Sequence, residues 1–366
     1  MHTKNRILFF INSLGGGGAE RVLVTLANEL SKRGKDVFIA IFNDREAAYE
    51  LSPKIKILNI SNNTRIKKRT IFDKIYSRIN KFRNIRNVAK NISPDIVISF
   101  ITNVNNDVIF SLLGTKIPVI VSEHTNVLRS YSKKTTFYRM LIYPFATAIT
   151  VLTRHDYNIW KKKYRQVVYM PNPTSVTEIY KDITNREKIV LAVGTVTSWK
   201  IKGFDNLLRC WGMICNDFPD WKLCIAGKYN DASLQYLQEI IKESKCKNVE
   251  FLGFRRDIHK LMQSSAIFCL SSRVEGLPMV LIEAMNSSCC CVAFDCITGP
   301  REIIKNNSGL LVKNQDIEDL AKKLSIVMKD DCLREYYASN APNSVSNFAL
   351  KRVINRWQIL LDKIKK

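Results

Sequence analysis

The chain has 366 residues, enough for two domains of ordinary size, and its 46% apolar content suits sizeable cores rather than disorder. No apolar run approaches the roughly 18 residues of a spanning helix, and the apolar part of the opening segment is too short for a signal peptide, so a cytoplasmic protein is expected. The net charge of +24 is uneven, with 29 Lys and Arg against 12 Asp and Glu in residues 1–180 and 28 against 21 in the rest, which directs the N-terminal half towards an anionic partner.

Residues 7–12 are predicted as a first strand, followed by Gly15-Gly-Gly-Gly18 and a helical pattern over 19–33 that Gly34 ends. Four successive glycines are costly in chain entropy. They favour a backbone-lined floor on which phosphate or acceptor approaches the helix N-terminus, over a merely flexible turn. Glu20 and Arg21 stand where the dinucleotide fingerprint needs its third glycine, and no Walker lysine follows. Further strands are predicted at 37–42, 55–60, 95–100, 118–122 and 148–152. Between them, residues 65–90 hold ten basic side chains opposed only by Asp73. Phe72, Ile75, Ile79, Phe82 and Ala89 fall there at helical spacing. The segment is either a helix lying at an anionic bilayer surface or a core-packed helix with a solvated basic face. His124 follows the 118–122 strand and so lies at a carboxyl end, beside Glu123; His155 and His259 have no such placement.

The strand–helix alternation restarts after Met170-Pro-Asn-Pro173 and the polar stretch 184–188, with strands predicted at 189–193, 222–226, 249–252, 267–270, 290–294 and 309–312. The domains are therefore placed at 1–172 and 173–345, with a last helical segment from 346 to 366. Each domain reads as a doubly wound parallel sheet, an α/β architecture whose ligands bind at the carboxyl ends of the strands. Lys202 follows the first strand of the second domain, where its charge suits a phosphate. After the apolar run 266–270 come Ser271, Ser272, Glu275, Gly276, Leu277 and Pro278, then good helix formers that include Glu283. Pro278 is expected at the first helical position, with a diphosphate at that helix N-terminus and a carboxylate on either side to accept hydrogen bonds from sugar hydroxyls. The plainer alternative makes Glu275 a helix cap and Glu283 a solvated surface residue.

The ten cysteines all lie from Cys210 onward, several in apolar runs, without C-x-x-C or histidines at ligand spacing, so they read as reduced core residues. No metal site is expected, and no Asp-x-Asp is present for a metal-bound diphosphate.

Glu275-Gly-Leu-Pro-Met-Val-Leu-Ile-Glu283 resembles the E-x7-E signature of the retaining nucleotide-sugar glycosyltransferases of family four, which have the GT-B fold. The resemblance continues in family order through Gly15–Gly18, Ser122-Glu-His124, Met170-Pro-Asn-Pro173, Val193-Gly194, Lys202-Gly-Phe-Asp205, Phe251-Leu-Gly253 and Gly299-Pro-Arg-Glu302. It implies an N-terminal acceptor domain, a C-terminal donor domain and a last helix that crosses back onto the N-terminal domain. It also implies donor contacts from Gly16, Gly17, Gly194, Thr195, Lys200, Lys202, Phe254, Glu275, Gly276, Leu277, Pro278 and Glu283. Among these, Glu275 would bind hydroxyls of the sugar, Glu283 the ribose, and Lys202 the departing diphosphate, while His124 contacts the transferred sugar. The chain departs from the family at Thr195, where an arginine usually stands, and Lys200 is the substitute in reach of the longer loop.

The expected activity is metal-independent transfer, with same-face attack, of a hexose or N-acetylhexosamine from a nucleotide sugar, UDP-linked, to a lipid-linked glycan acceptor of a bacterial surface polysaccharide such as lipopolysaccharide. The enzyme would work as a peripheral protein on the cytoplasmic face of the inner membrane. Two alternatives stay open: a sugar-nucleotide epimerase or hydrolase of the same fold, and a basic nucleic-acid-binding protein. The second has no recognition motif in the chain and leaves the two glutamates unexplained.

Overall fold

The computed structural model describes residues 5–60, 70–127, 132–174 and 183–365. The chain divides into two compact units, Met1–Pro173 with Lys351–Lys366, and Thr174–Leu350.

The first unit holds strands β1 (Arg6–Ile11), β2 (Asp36–Ile41), β3 (Lys56–Asn59), β4 (Ile96–Phe100), β5 (Val119–Ser122), β6 (Ala148–Val151) and β7 (Val167–Tyr169). Its helices include α1 (Gly18–Lys32), α2 (Ile71–Ile92), α3 (Thr102–Leu112), α4 (Lys133–Ile142) and α5 (Arg154–Lys161). The sheet order is β3-β2-β1-β4-β5-β6-β7 and its neighbours pair in parallel. Helices on both faces bury a parallel strand on both sides, which is why β1 and β4 are near-continuous apolar runs. β7 is the one strand of this sheet absent from the predicted set. At three residues it is too short for a periodic signal, and it exists by pairing with β6 at the sheet edge. The order turns back at β1, so the loops after β1 and β4 meet at a switch point, the usual ligand position in such sheets.

Helix α2 starts on a capping box between Thr70 and Asp73. Its second half packs as core, through Ile85, Ala89 and Ile92, while Phe72, Ile75 and Ile79 in its first half are exposed. Residues 65–69 of the basic stretch, with Lys67, Lys68 and Arg69, lie outside the described residues.

The second unit holds β8 (Glu187–Val193), β9 (Lys222–Ala226), β10 (Val249–Gly253), β11 (Ser265–Leu270), β12 (Cys290–Phe294) and β13 (Leu310–Val312), in the parallel order β10-β9-β8-β11-β12-β13. Its helices are α6 (Trp199–Lys202), α7 (Phe204–Ile214), α8 (Asp231–Glu243), α9 (Ile258–Ser264), α10 (Met279–Asn286), α11 (Pro300–Ile303), α12 (Ile317–Lys329) and α13 (Asp331–Val345). Cys210, Cys269 and Cys290 belong to its apolar core, and every cysteine is free. Burial pushes the Cys269 and Cys290 thiols up to about 12, so neither is a nucleophile near neutral pH.

The last helix, α14 (Leu350–Lys365), buries Val353, Ile354, Trp357, Leu360 and Leu361. It belongs to the first unit from Lys351 onward. There Asn355 accepts from Arg33 (2.9 Å), and Lys365 reaches Asn5 (2.9 Å) and Asp95 (3.5 Å).

Candidate active site

In the second unit the loops after β8 and β11 meet at the switch point, and they bring Lys202 and Glu275 together. Lys202 ends α6, its stem lying against Gly194, and its Nζ donates to Oε1 of Glu275 at 2.8 Å. Ser272 Oγ donates to the same oxygen at 2.7 Å. Both side chains are largely withdrawn from water, with 23% of the lysine and 12% of the glutamate side chain exposed.

Backbone contact fixes the two loops against each other. Gly203 follows Lys202 in the left-handed region (φ 65), and a Cβ there would lie 1.9 Å from the carbonyl oxygen of Ser271, so only glycine allows the approach. Ser271 Oγ returns a hydrogen bond to the carbonyl of Lys202 (2.9 Å). Arg273 completes the clamp with two 2.7 Å bonds to the carboxylate of Asp205, a third to the carbonyl of Lys200 (2.7 Å) and one to Asn206 (3.0 Å). This fork-to-fork pair is the charge-assisted geometry that holds a loop firmly.

Glu275 does not cap α10. No side chain caps that helix; Pro278 is its N-cap residue, one position earlier than expected, and Glu275 turns back to Lys202 instead. The first-turn N–H groups thus lie beside Gly276, Leu277 and Pro278, whose loop is held by Thr298 donating to the carbonyl of Gly276 (2.9 Å). Glu283 is not a solvated surface residue either, being only 2% exposed inside α10. A carboxylate is buried at this depth only where polar partners hold it.

The remaining predicted donor residues are less assembled. Thr195 is exposed after β8, and Lys200 is exposed with its ammonium over the indole of Trp199 (5.2 Å), which stacks on Tyr236 at 4.2 Å. Phe254 is exposed just beyond β10. Sequence reasoning missed Ser272, Asp205 as the partner of Arg273, and Thr298. Ser272 carried a signal as the neighbour of the Glu275 motif, and Asp205 as the last residue of Lys202-Gly-Phe-Asp205.

In the first unit, Gly16 takes a positive φ of 103 and Gly17 stands as the N-cap of α1, which no side chain caps. Gly18 meets nothing within 4 Å of a built Cβ, so space does not require glycine there. His124 lies past β5, stacked on Phe100 with ring centroids 4.7 Å apart. Its Nε2 meets Ser122 Oγ at 3.0 Å, and Ser122 in turn accepts from Thr150 (2.9 Å). Burial pushes the imidazole down to about 3 from an ordinary 6.5, so the ring is neutral at physiological pH. Glu123 points into the core, where Thr102 (2.7 Å), Asn105 (3.1 Å) and the Tyr143 hydroxyl all donate to its carboxylate. It is a buried anchor under the loop that carries His124. His155 is exposed on α5 and His259 on α9.

Among the described residues, no group of three or more His, Cys, Asp or Glu is placed to hold a metal ion. None of their helices is long and apolar enough to cross a membrane.

Two family profiles cover nearly all of the chain: one described as Glycosyltransferase Family 4 over residues 16–177, the other as Glycosyl transferases group 1 over residues 178–344. A curated relative is 33% identical over 98% of this chain and 99% of its own length. It is the GalNAc-alpha-(1->4)-GalNAc-alpha-(1->3)-diNAcBac-PP-undecaprenol alpha-1,4-N-acetyl-D-galactosaminyltransferase of Campylobacter jejuni. The amylovoran biosynthesis glycosyltransferase AmsD of Erwinia amylovora is 28% identical over 98% of this chain and 99% of its own. Among solved structures, Anabaena HepE in complex with UDP and glucose superposes with a TM-score of 0.81 at 17% identity, over 98% of this chain and 99% of that one. Full-length likeness to the Campylobacter enzyme, both profiles and the paired parallel sheets agree: the chain belongs to the glycosyltransferases of the GT-B fold.

Proposed function

We propose that this glycosyltransferase transfers a hexose or N-acetylhexosamine from a UDP-linked donor to a lipid-linked glycan at the cytoplasmic face of a bacterial membrane, with retention and without a metal ion. The observation that carries the reading is the Lys202–Glu275 pair beside the uncapped N-terminus of α10. One residue and the helix N–H groups supply positive charge for a diphosphate, the other supplies acceptor oxygens for sugar hydroxyls. When the donor enters, Lys202 exchanges Glu275 for a diphosphate oxygen, and the carboxylate turns to the sugar. Glu283 accepts from the ribose; in the first unit, Gly16 and Gly17 leave the N-terminus of α1 open to a ligand, and His124 offers a neutral hydrogen-bonding group.

The acceptor hydroxyl then attacks the anomeric carbon on the face from which the diphosphate leaves. The bond to the diphosphate oxygen breaks as the new glycosidic bond forms, and the hydroxyl proton passes to the departing diphosphate. The undecaprenol-linked diphosphate glycan named as acceptor for the Campylobacter relative supports a lipid-linked glycan. UDP and glucose in the fold relative support the donor class.

The test is product analysis with a panel of UDP-sugars and a polyprenyl-diphosphate-linked glycan, before and after exhaustive EDTA treatment. Acceptor-dependent product with the donor's anomeric configuration, formed at most of its rate after EDTA, is expected. Donor turnover that ignores the acceptor would mark an epimerase or hydrolase, and loss of rate restored by magnesium would remove the metal-independent mechanism.

A further inference from the structure

Helices α2, α3 and α4 form one layer of the first unit, joined by rings: Phe82 of α2 lies 4.6 Å from Phe110 of α3, which lies 6.2 Å from Tyr138 of α4. Arg78 bridges the outer two, its guanidinium over both Phe82 (5.5 Å) and Tyr138 (5.4 Å). An ordinary surface helix turns its apolar stripe inward. Here two helices also turn apolar side chains out. On α2, Phe72, Ile75 and Ile79 stand on one stripe, Phe72 with 83% of its surface exposed. On α4, Phe137 and Met140 do the same, and Phe145 follows in the next turn at 64%.

The same layer is strongly basic. Lys74, Arg78, Lys81 and Arg83 stand on α2, and Lys133 and Lys134 open α4. The acidic residues of the three helices are already engaged, Asp73 in the α2 capping box and Asp107 with Arg78 (3.5 Å) and Lys81 (2.6 Å). Arg78 and Lys81 are thus answered by Asp107, while Lys74, Lys133 and Lys134 stand exposed among the apolar side chains, which suits a surface that is apolar beneath and anionic on top. A second copy of the chain suits it poorly. A two-fold interface would set this basic face against a second basic face, with no acidic side chain on the three helices left to answer the lysines.

We infer that the α2–α4 face docks on an anionic bilayer. Phe72, Ile75, Phe137, Met140 and Phe145 enter the boundary between headgroups and acyl chains, and Lys74, Lys133 and Lys134 meet the headgroups. The inference deepens the proposed function, since a lipid-linked acceptor is presented at that surface, and it assigns the hold to apolar insertion as much as to charge.

The experiment is co-sedimentation of the full chain with phosphatidylglycerol-rich or pure phosphatidylcholine vesicles, in low and high salt. Wild type is compared with F72S/I75S/F137S/M140S and with K74E/K133E/K134E, and transfer to a water-soluble acceptor analogue is measured in parallel. Wild type should bind the anionic vesicles. The lysine variant should lose at least about 100-fold in low salt, which removal of three cations alone accounts for before their reversal. The serine variant should lose at least roughly tenfold in both salts. Both variants should keep wild-type transfer to the soluble analogue, which reports folding. Wild-type failure to bind anionic vesicles, or a serine variant that binds as wild type does, overturns the inference. So does a wild-type dimer in solution that the serine changes dissolve. Vesicle binding without any transfer would instead remove the functional reading and leave the docking face standing.

Discussion

The carboxyl ends of the two sheets share a topology and differ in what they present. In the second unit charges are exposed to a ligand but held by one another: Lys202 on Glu275, and Arg273 on Asp205. In the first unit the ground around His124 is neutral. It is a stacked imidazole whose charge burial suppresses and the hydroxyls of Ser122 and Thr150, with Glu123 turned into the core, while the charged side chains of Arg45 and Glu20 flank the glycine loop at Gly15 and Gly17. A paired charge can be released to an incoming phosphate because the lysine exchanges one anionic partner for another, so its largely buried ammonium is never left unpaired. A neutral site adds no charge that a sugar would have to compensate. The same fold thus yields one end suited to a diphosphate and one suited to hydroxyl chemistry.

The largest effect that breaks this contrast is expected at Glu275. Glu275→Gln should lower kcat by roughly 100-fold, as for the loss of one preorganised polar contact. It should also strengthen binding of UDP alone by about two- to five-fold, because Lys202 no longer has to leave a carboxylate. Calorimetry with UDP and turnover with donor, on the same folded variant, read the two signs. Parallel weakening of both would show that Glu275 supports the diphosphate site rather than competing for its lysine.

Glu283 should give a smaller and different effect. A buried acceptor of ribose hydroxyls acts alike in ground and transition states, so Glu283→Gln should raise the Kd for UDP by about tenfold and leave kcat near wild type. An unchanged Kd would return Glu283 to a packing role inside α10.

How far the sequence could carry this contrast follows from which signals are local. Strands buried on both faces are continuous apolar runs, so twelve of the thirteen strands among the described residues stood near their predicted places, and only the three-residue β7 went unseen. The Glu275–Glu283 motif was legible because both residues lie in one turn and helix. The pairing of Glu275 with Lys202 was not, since 73 residues separate them and only the switch point of the sheet joins their loops. Periodicity likewise found the apolar stripe of α2 but not whether anything covers it. The stripe of α4 has the same spacing, and its importance emerged only from its exposure. Gly18 shows the reverse: a glycine that composition singled out and that space does not demand.

The smallest effect concerns protons, and it tests the neutral end directly. Because burial holds His124 down at about 3, its charge is absent throughout the physiological range, and it cannot supply an ionisation to the rate profile. His124→Asn should therefore lower transfer by a similar factor, about tenfold, at every pH between roughly 5.5 and 9, leaving the shape of the profile unchanged. Stability should show the linked sign. The unfolded histidine takes its proton near 6.5 while the folded one resists to about 3, so the unfolded state binds more protons as pH falls through that window and the native state loses stability. His124→Asn should flatten this part of the stability curve in urea melts. A wild-type rate limb near pH 6.5 that the variant lacks would show a titrating imidazole, and with it a charged rather than a neutral end to the first sheet.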